Sequence, residues 1–366
     1  MKINKVIISG GGTGGHIFPA VAIANEIKRR NPEVDILFVG ALGKMEMEKV
    51  PQAGYKIIGL PIAGFQRKFT FSNFLLPFKI IKSLMMASKI IKDFKPQVVI
   101  GVGGYASGPT LRAAISKGIP TLVQEQNSFP GKTNKILAGK VNTICTAYEG
   151  LEKFFPKEKI VLTGNPVRSE MVQIDGKREE AFSFFGLDVA KKTILIVGGS
   201  LGARTLNESL ISHLDKFENS DTQVLWQCGK FYFPQLRENE AIKANKAIHL
   251  NDFIFRMDLA YAVADVIISR AGAISVSELC LIDKATILVP SPNVAEDHQT
   301  KNAMALVTKQ AAILIKDSVA REQLIPAAMD LLNDSAKQEE LIKNIKQLGL
   351  PKATEDIVNE IEKIVN

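Results

Sequence analysis

One pattern occurring twice constrains this chain more than anything else in it. A short β-branched run ends in glycines and passes straight into a helical stretch. The first copy is V-I-I-S-G-G-G-T-G-G-H, from Val6 to His16, and the second is T-I-L-I-V-G-G-S-L-G-A-R, from Thr193 to Arg204. Glycine at such a junction lets backbone approach a ligand closely, and the N–H groups that open the helix attract anions. Around these junctions the strand-like runs repeat at 6–9, 36–40, 98–102, 121–124, 143–146 and 160–163, then at 193–197, 223–227, 266–269 and 286–289. Amphipathic stretches such as 20–30 and 111–117 separate them, the rhythm of βα units and a parallel sheet. Two such series predict two Rossmann-like domains, 1–165 and 166–349. A last helix over 354–365, within 350–366, has apolar residues that suit packing on either domain.

The chain has 366 residues and is 46% hydrophobic, enough for two cores without disulfides or metals. Its three cysteines, Cys145, Cys228 and Cys280, are far apart and odd in number, which argues against a disulfide framework and suits a reducing compartment. The first apolar run is too short for a secretory signal, and no run approaches a membrane span, so a cytoplasmic protein is expected. Residues 1–165 carry 23 Lys+Arg against 10 Asp+Glu, a net of +13, leaving 23 against 28, a net of −5, for the rest. The first half is therefore expected to meet something anionic. Within it, residues 66–95 set Arg67, Lys68, Lys79, Lys82, Lys89, Lys92 and Lys95 against one acid, Asp93. Ile80, Leu84, Ala87 and Ile91 share a core-like helical face, while Phe74, Phe78 and Met85 mix with lysines on another. That mixture suits an anionic membrane surface. Few arginines and no stacking aromatics beyond phenylalanine accompany it, so nucleic acid is not expected as a partner.

Gly10, Gly12 and Gly15 satisfy the dinucleotide fingerprint, but the strand at 36–40 ends without the acid that would hold a cofactor ribose. No cofactor is expected. In the second loop Ser200 adds a hydroxyl to the backbone donors, an arrangement fit for a pyrophosphate. S-R-A-G-A-I-S-V-S-E, Ser269 to Glu278, forms a third strand-to-helix junction, where Glu278 can accept bonds from a sugar diol. His16 follows the glycines at a helix mouth, where the positive end of the dipole keeps an imidazole neutral and able to take a proton from an alcohol. Glu125, at the end of the strand 121–124, is the competing base. No Asp-x-Asp pair occurs, so no metal site is expected. Arg168 and Ser200 are then candidates to stabilise a leaving phosphate.

The ordered set G-G-T-G-G-H (11–16), G-G-Y-A-S-G-P (103–109), Q-E-Q-N (124–127), G-N-P-V-R (164–168), G-G-S-L-G-A (198–203) and S-R-A-G-A (269–273) resembles the MurG-type N-acetylglucosaminyltransferases of peptidoglycan synthesis over nearly the whole chain. The resemblance implies the α/β GT-B fold, two Rossmann-like domains with parallel sheets facing across a cleft, the acceptor on the N-terminal one and UDP-GlcNAc mainly on the C-terminal one. It implies inverting transfer to an undecaprenyl-linked muramyl-pentapeptide at the inner face of the membrane, with residues 66–95 as the membrane-facing patch. It places Thr13, Gly14 and Gly15 beside the transferred sugar and makes His16 the candidate base. Asn127, Arg168 and Ser200 would touch the donor or its phosphates, and Ile254 with parts of Ala273, Ile274, Ser275, Val276, Ser277 and Glu278 would meet the uracil. Glu278 would hold the ribose and Gln299 the GlcNAc hydroxyls. Leu201 and Thr300 depart from the family, which often has glutamine at both. Another GT-B glycolipid transferase, a UDP-GlcNAc epimerase and a non-catalytic nucleotide scaffold are the alternatives.

Overall fold

The computed structural model describes residues 3–62, 76–199 and 201–365. The chain divides into two compact units, residues 1–167 with 352–366 and residues 168–351. The first is built on a seven-stranded parallel sheet: β1 (Lys5–Ser9), β2 (Asp35–Ala41), β3 (Lys56–Leu60), β4 (Val98–Gly101), β5 (Thr121–Glu125), β6 (Thr143–Thr146) and β7 (Ile160–Leu162). Their order across the sheet is β3-β2-β1-β4-β5-β6-β7. The second carries β8 (Lys192–Val197), β9 (Thr222–Gln227), β10 (Ile248–Asn251), β11 (Val266–Ser269), β12 (Ala285–Leu288) and β13 (Ile313–Leu314), in the order β10-β9-β8-β11-β12-β13. Every ladder is parallel, and central strands such as β1 and β8 run apolar and largely buried after an exposed first lysine, because helices cover both faces. This is the α/β architecture of the GT-B fold, one parallel sheet per unit.

Each sheet reverses its winding once, between β1 and β4 in the first unit and between β8 and β11 in the second. At such a reversal the loops leaving neighbouring strands diverge to opposite faces and open a crevice at the carboxyl edge. Both glycine-rich junctions leave the strands that border these reversals. Three strands lack a strong mark in the sequence: β3, β10 and β13. All lie at sheet edges, where partial exposure weakens the apolar signal.

Helix α1 (Gly14–Arg30) begins six residues earlier than the apolar periodicity of 20–30 suggests, since its first turn is glycine and histidine. Its basic last turn suits the negative end of the helix dipole. Arg30 donates to Asn359 and to Glu362 of the C-terminal helix Ala353–Val365, whose Ile357, Val358 and Ile361 are buried in the core that α1 shares with the first sheet, beside β5 and β6. The terminal helix thus belongs to the first unit, settling the choice the sequence left open. After the short α2 (Glu46–Gln52), α3 (Leu76–Phe94) buries Ser83, Ala87 and Ile91. Phe78, Ile81 and Met85 are exposed with Lys82, Lys89 and Lys92. Ile80 is a correction: expected in the core stripe, it is 39% exposed, because the buried seam starts only at Ser83. Arg67, Lys68 and Phe74 lie outside the described residues. No described helix is long and apolar enough to cross a membrane.

Candidate active site

At the β1/β4 reversal two glycine loops touch backbone to backbone. Gly11 N–H donates to Gly103 O at 3.3 Å, and a Cβ at Gly104, whose φ is +86°, would collide with Gly11 O. Only glycine permits this approach, so the first loop is moulded on the second. Thr13 is the extended residue that caps α1, its carbonyl accepting from His16 and Ile17 N–H. Gly14 and Gly15 form the first helical turn, and Thr13 and Gly15 are exposed. His16 is half-buried, and its Nδ1 lies 2.9 Å from Gly11 O and 3.4 Å from Thr13 Oγ1. A carbonyl can only accept, so the proton sits on Nδ1 and Nε2 carries the lone pair. A Cβ on Gly103 would lie 2.9 Å from Nε2, so the ring is packed edge-on against this backbone.

Glu125, the competing base of the sequence reading, is held by the loop that follows it. It is buried at the end of β5, and both carboxylate oxygens accept within their own turn. Oε1 takes Asn127 N–H at 3.0 Å and Asn127 Nδ2 at 3.3 Å, while Oε2 takes Gly131 N–H at 3.1 Å and Asn134 Nδ2 at 2.8 Å. Four donors occupy its oxygens and aim it inward, so Glu125 shapes the 126–131 loop and with it the position of Asn127. The glutamines of Q-E-Q-N are also structural. Gln124 donates to Asn165 Oδ1, Asn165 donates back to Gln126 O, and Gln126 donates to Val102 O. This buried amide chain ties the ends of β4 and β5 to the G-N-P-V-R turn.

In the second unit, Gly202 and Gly229 pass so closely that a Cβ on either would strike the other loop's backbone. Asn207 secures the crossing, donating to Cys228 O at 3.0 Å and accepting from Trp226 Nε1 at 3.1 Å. Ser200 lies outside the described residues, and its neighbour Leu201 is 76% exposed. Across the reversal the helix Ala273–Leu279 opens after Gly272, and its ladder begins with Val276 N–H to Gly272 O at 2.9 Å, so the N–H groups of Ala273, Ile274 and Ser275 precede it. The Val276 side chain is buried and its amide is used within the helix. Ser277 turns its hydroxyl back onto Ala273 O. The arginine of S-R-A-G-A is internal too, bound to Val289 O, Pro290 O and Asp317.

Glu278 accepts a hydrogen bond from Tyr261 Oη at 3.1 Å. Burial pushes its carboxyl above the usual range, against the opposing pull of Tyr261 and the Arg168 guanidinium. Arg168 itself is exposed, just before the short helix Ser169–Val172. Ile254 needs a refinement: its N–H donates to Gln227 Oε1 at 2.9 Å, so only its carbonyl remains to meet a base. Gln299 uses its carbonyl oxygen to hold Ser291 N–H at 2.8 Å, which turns its amide NH2 to other duties. Sequence reasoning missed Glu46, Gly103 and Tyr261. Nothing in the sequence separates Glu46 from an ordinary acidic residue, or Tyr261 from a core aromatic.

The glycosyltransferase family 28 N-terminal domain matches residues 6–146, and the C-terminal domain of the same family matches residues 193–357. A relative from Flavobacterium psychrophilum is 57% identical over 365 residues, covering 100% of this chain and 99% of its own. One from Parabacteroides distasonis is 55% identical over 366 residues and all of both chains. Both are named UDP-N-acetylglucosamine–N-acetylmuramyl-(pentapeptide) pyrophosphoryl-undecaprenol N-acetylglucosamine transferase. The crystal structure of Acinetobacter baumannii MurG superimposes with a TM-score of 0.80 at 31% identity, over 98% of this chain and 99% of that one.

Proposed function

The chain belongs to glycosyltransferase family 28, and on that premise we propose that it moves N-acetylglucosamine from UDP to the C4 hydroxyl of an undecaprenyl-linked muramyl-pentapeptide, with inversion. It is an N-acetylglucosaminyltransferase of peptidoglycan synthesis that turns lipid I into lipid II. The observation that carries the mechanism is the His16 imidazole, fixed by Gly11 O with its lone pair on Nε2. Nε2 accepts the proton of the acceptor hydroxyl as that oxygen bonds to the anomeric carbon. The bond from that carbon to the diphosphate breaks, and UDP leaves with the electron pair.

The C-terminal unit holds the nucleotide. The amides that open the helix at Ala273 face the diphosphate, with the glycine loop at 198–202 and the charge of Arg168. Ile254 O accepts from the uracil N3–H, Glu278 takes the ribose hydroxyls, and the Gln299 amide takes those of GlcNAc. On the N-terminal unit Thr13, Gly14, Gly15 and Asn127 meet the sugar undergoing transfer. The lysine and apolar face of α3 lies on the anionic cytoplasmic surface of the inner membrane, which makes the enzyme peripheral.

A UDP-release assay tests this. Turnover is expected only with the lipid-linked acceptor present, and it persists in excess chelator. His16→Ala keeps its calorimetric affinity for UDP-GlcNAc but loses two or more orders of magnitude in kcat. Epimerised UDP-GlcNAc formed without acceptor, or a fully active His16→Ala, overturns the reading.

A further inference from the structure

Glu46 is a buried carboxylate that the reaction above does not use. It opens α2, is 1% exposed, and accepts from Gly12 N–H at 2.8 Å and from Ala41 N–H at 2.9 Å. Two glycines make room for it. A Cβ on Gly11 would fall on its carboxylate, and one on Gly40 would lie 2.5 Å from its Cγ. An ionised carboxylate taken out of water is costly to the fold, so a chain that keeps one against backbone gains something specific from it.

The gain lies in which amide it holds. Gly12 N–H and Gly11 C=O are the two ends of one trans peptide group and point in opposite directions. Glu46 grips the N–H end while the C=O end accepts from His16 Nδ1 at 2.9 Å. We propose that Glu46 is the positioning residue for His16, acting through the Gly11–Gly12 peptide as a carboxylate–peptide–imidazole relay. The arrangement does what the carboxylate of a catalytic triad does by direct contact. It locks the tautomer and ring orientation, and it favours the imidazolium that forms when Nε2 takes the acceptor proton. A peptide bonded at both ends is also more polarised than one bonded at one, so Gly11 O becomes a stronger acceptor. Thr13 and the Gly103 backbone, which pack against the ring, do not titrate in this range. Glu125, the nearest acid on the neighbouring strand end, is turned into its own loop by four donors.

This inference rests on His16 as the base, and Glu46→Gln in the acceptor-dependent UDP-release assay tests it. Glutamine keeps the shape and one acceptor but removes the charge. The expected result is a 10- to 100-fold lower kcat with an unchanged KM for UDP-GlcNAc. The acid limb of the pH–kcat profile should move down by roughly half a pH unit, as for two charges about 8 Å apart in a dielectric between protein surface and water. Glu46→Asp should restore the limb's position but not the rate, since its carboxylate is one methylene short. A Glu46→Gln enzyme that is only less heat-stable, with kcat and acid limb unmoved, overturns the relay, as does a rise in donor KM alone. An inactive His16→Ala beside a normal Glu46→Gln sinks the relay and spares the base, whereas an active His16→Ala sinks both. Should Glu46→Gln fail to fold, imidazole 15N shifts of the wild-type enzyme decide. The Nδ1–H tautomer of His16 is expected, and the Nε2–H tautomer refutes the relay.

Discussion

Replacing Gly103 by alanine tests the site without touching any group that takes part in the chemistry. Two separate penalties are built into the substitution. Gly103 has φ of +92°, and a side chain there strains the backbone by about 1–2 kcal/mol, which appears as lost stability. The new methyl would also lie 2.9 Å from His16 Nε2 and Cδ2, well inside van der Waals contact. The imidazole must turn or retreat by several tenths of an ångström, and its bond to Gly11 O must stretch with it. A misplacement approaching 1 Å lowers rates by about 100-fold, so a kcat 10- to 100-fold below wild type is expected, about 1.4–2.7 kcal/mol in the barrier. Donor affinity should hold, because the groups assigned to UDP lie on the other unit. Gly118→Ala is the matched control. It has φ of +68° with nothing within 4 Å of its added Cβ, so it carries the backbone strain alone. UDP release with lipid-linked acceptor, donor KM and thermal unfolding are measured on both variants. If Gly103→Ala turns over as fast as Gly118→Ala, the placement of His16 Nε2 does not govern the rate, and the reasoning from this contact is wrong.

Sedimentation with anionic vesicles probes α3. Phe78→Ser or Met85→Ser should each weaken binding about tenfold or more, from about 1.5–3 kcal/mol of lost apolar burial, and Lys82→Glu with Lys89→Glu should weaken it in a salt-dependent way. Unchanged partitioning would remove the membrane face from the account. In the second unit, Arg256 and then Lys177 hold the Asp258 carboxyl well below the ordinary carboxylate range. Because the folded value is depressed, this stabilisation is full above the unfolded value near 3.9 and fades as pH falls below it. Asp258→Asn should therefore lower urea stability by about 1–3 kcal/mol at pH 7, discounted for the half-exposed Arg256, with a gap that narrows toward pH 3. A constant gap across that range would mean that packing, not charge, explains the loss.

Much of the site was legible because its chemistry depends on residue types that few other roles require. Runs of glycine after β-branched strands marked both reversals, and His16 stood out as one of four histidines placed at a helix mouth. The orientation of Glu125 was not legible, because position on a strand end says where a side chain begins, not which way it turns. Its inward aim comes from Asn127, Gly131 and Asn134, which close a loop around it. The burial of Val276 was hidden for a related reason, since a motif numbers residues in line while a helix sends one in every few into the core.

By itself the sequence determined the alternation of strands and helices, the two glycine junctions and the family, because strand period, glycine tolerance and motif order are all written locally along the chain. Tertiary structure alone decided that the last helix joins the first unit, that Glu125 is walled in, and that Glu46 reaches His16 through a peptide. Residues 46 and 16 are thirty apart and share no pattern; only the parallel pairing of β1 with β2 brings the turns after those strands together. Contacts of that kind arise from how strands are ordered across a sheet, which no local preference of the chain encodes.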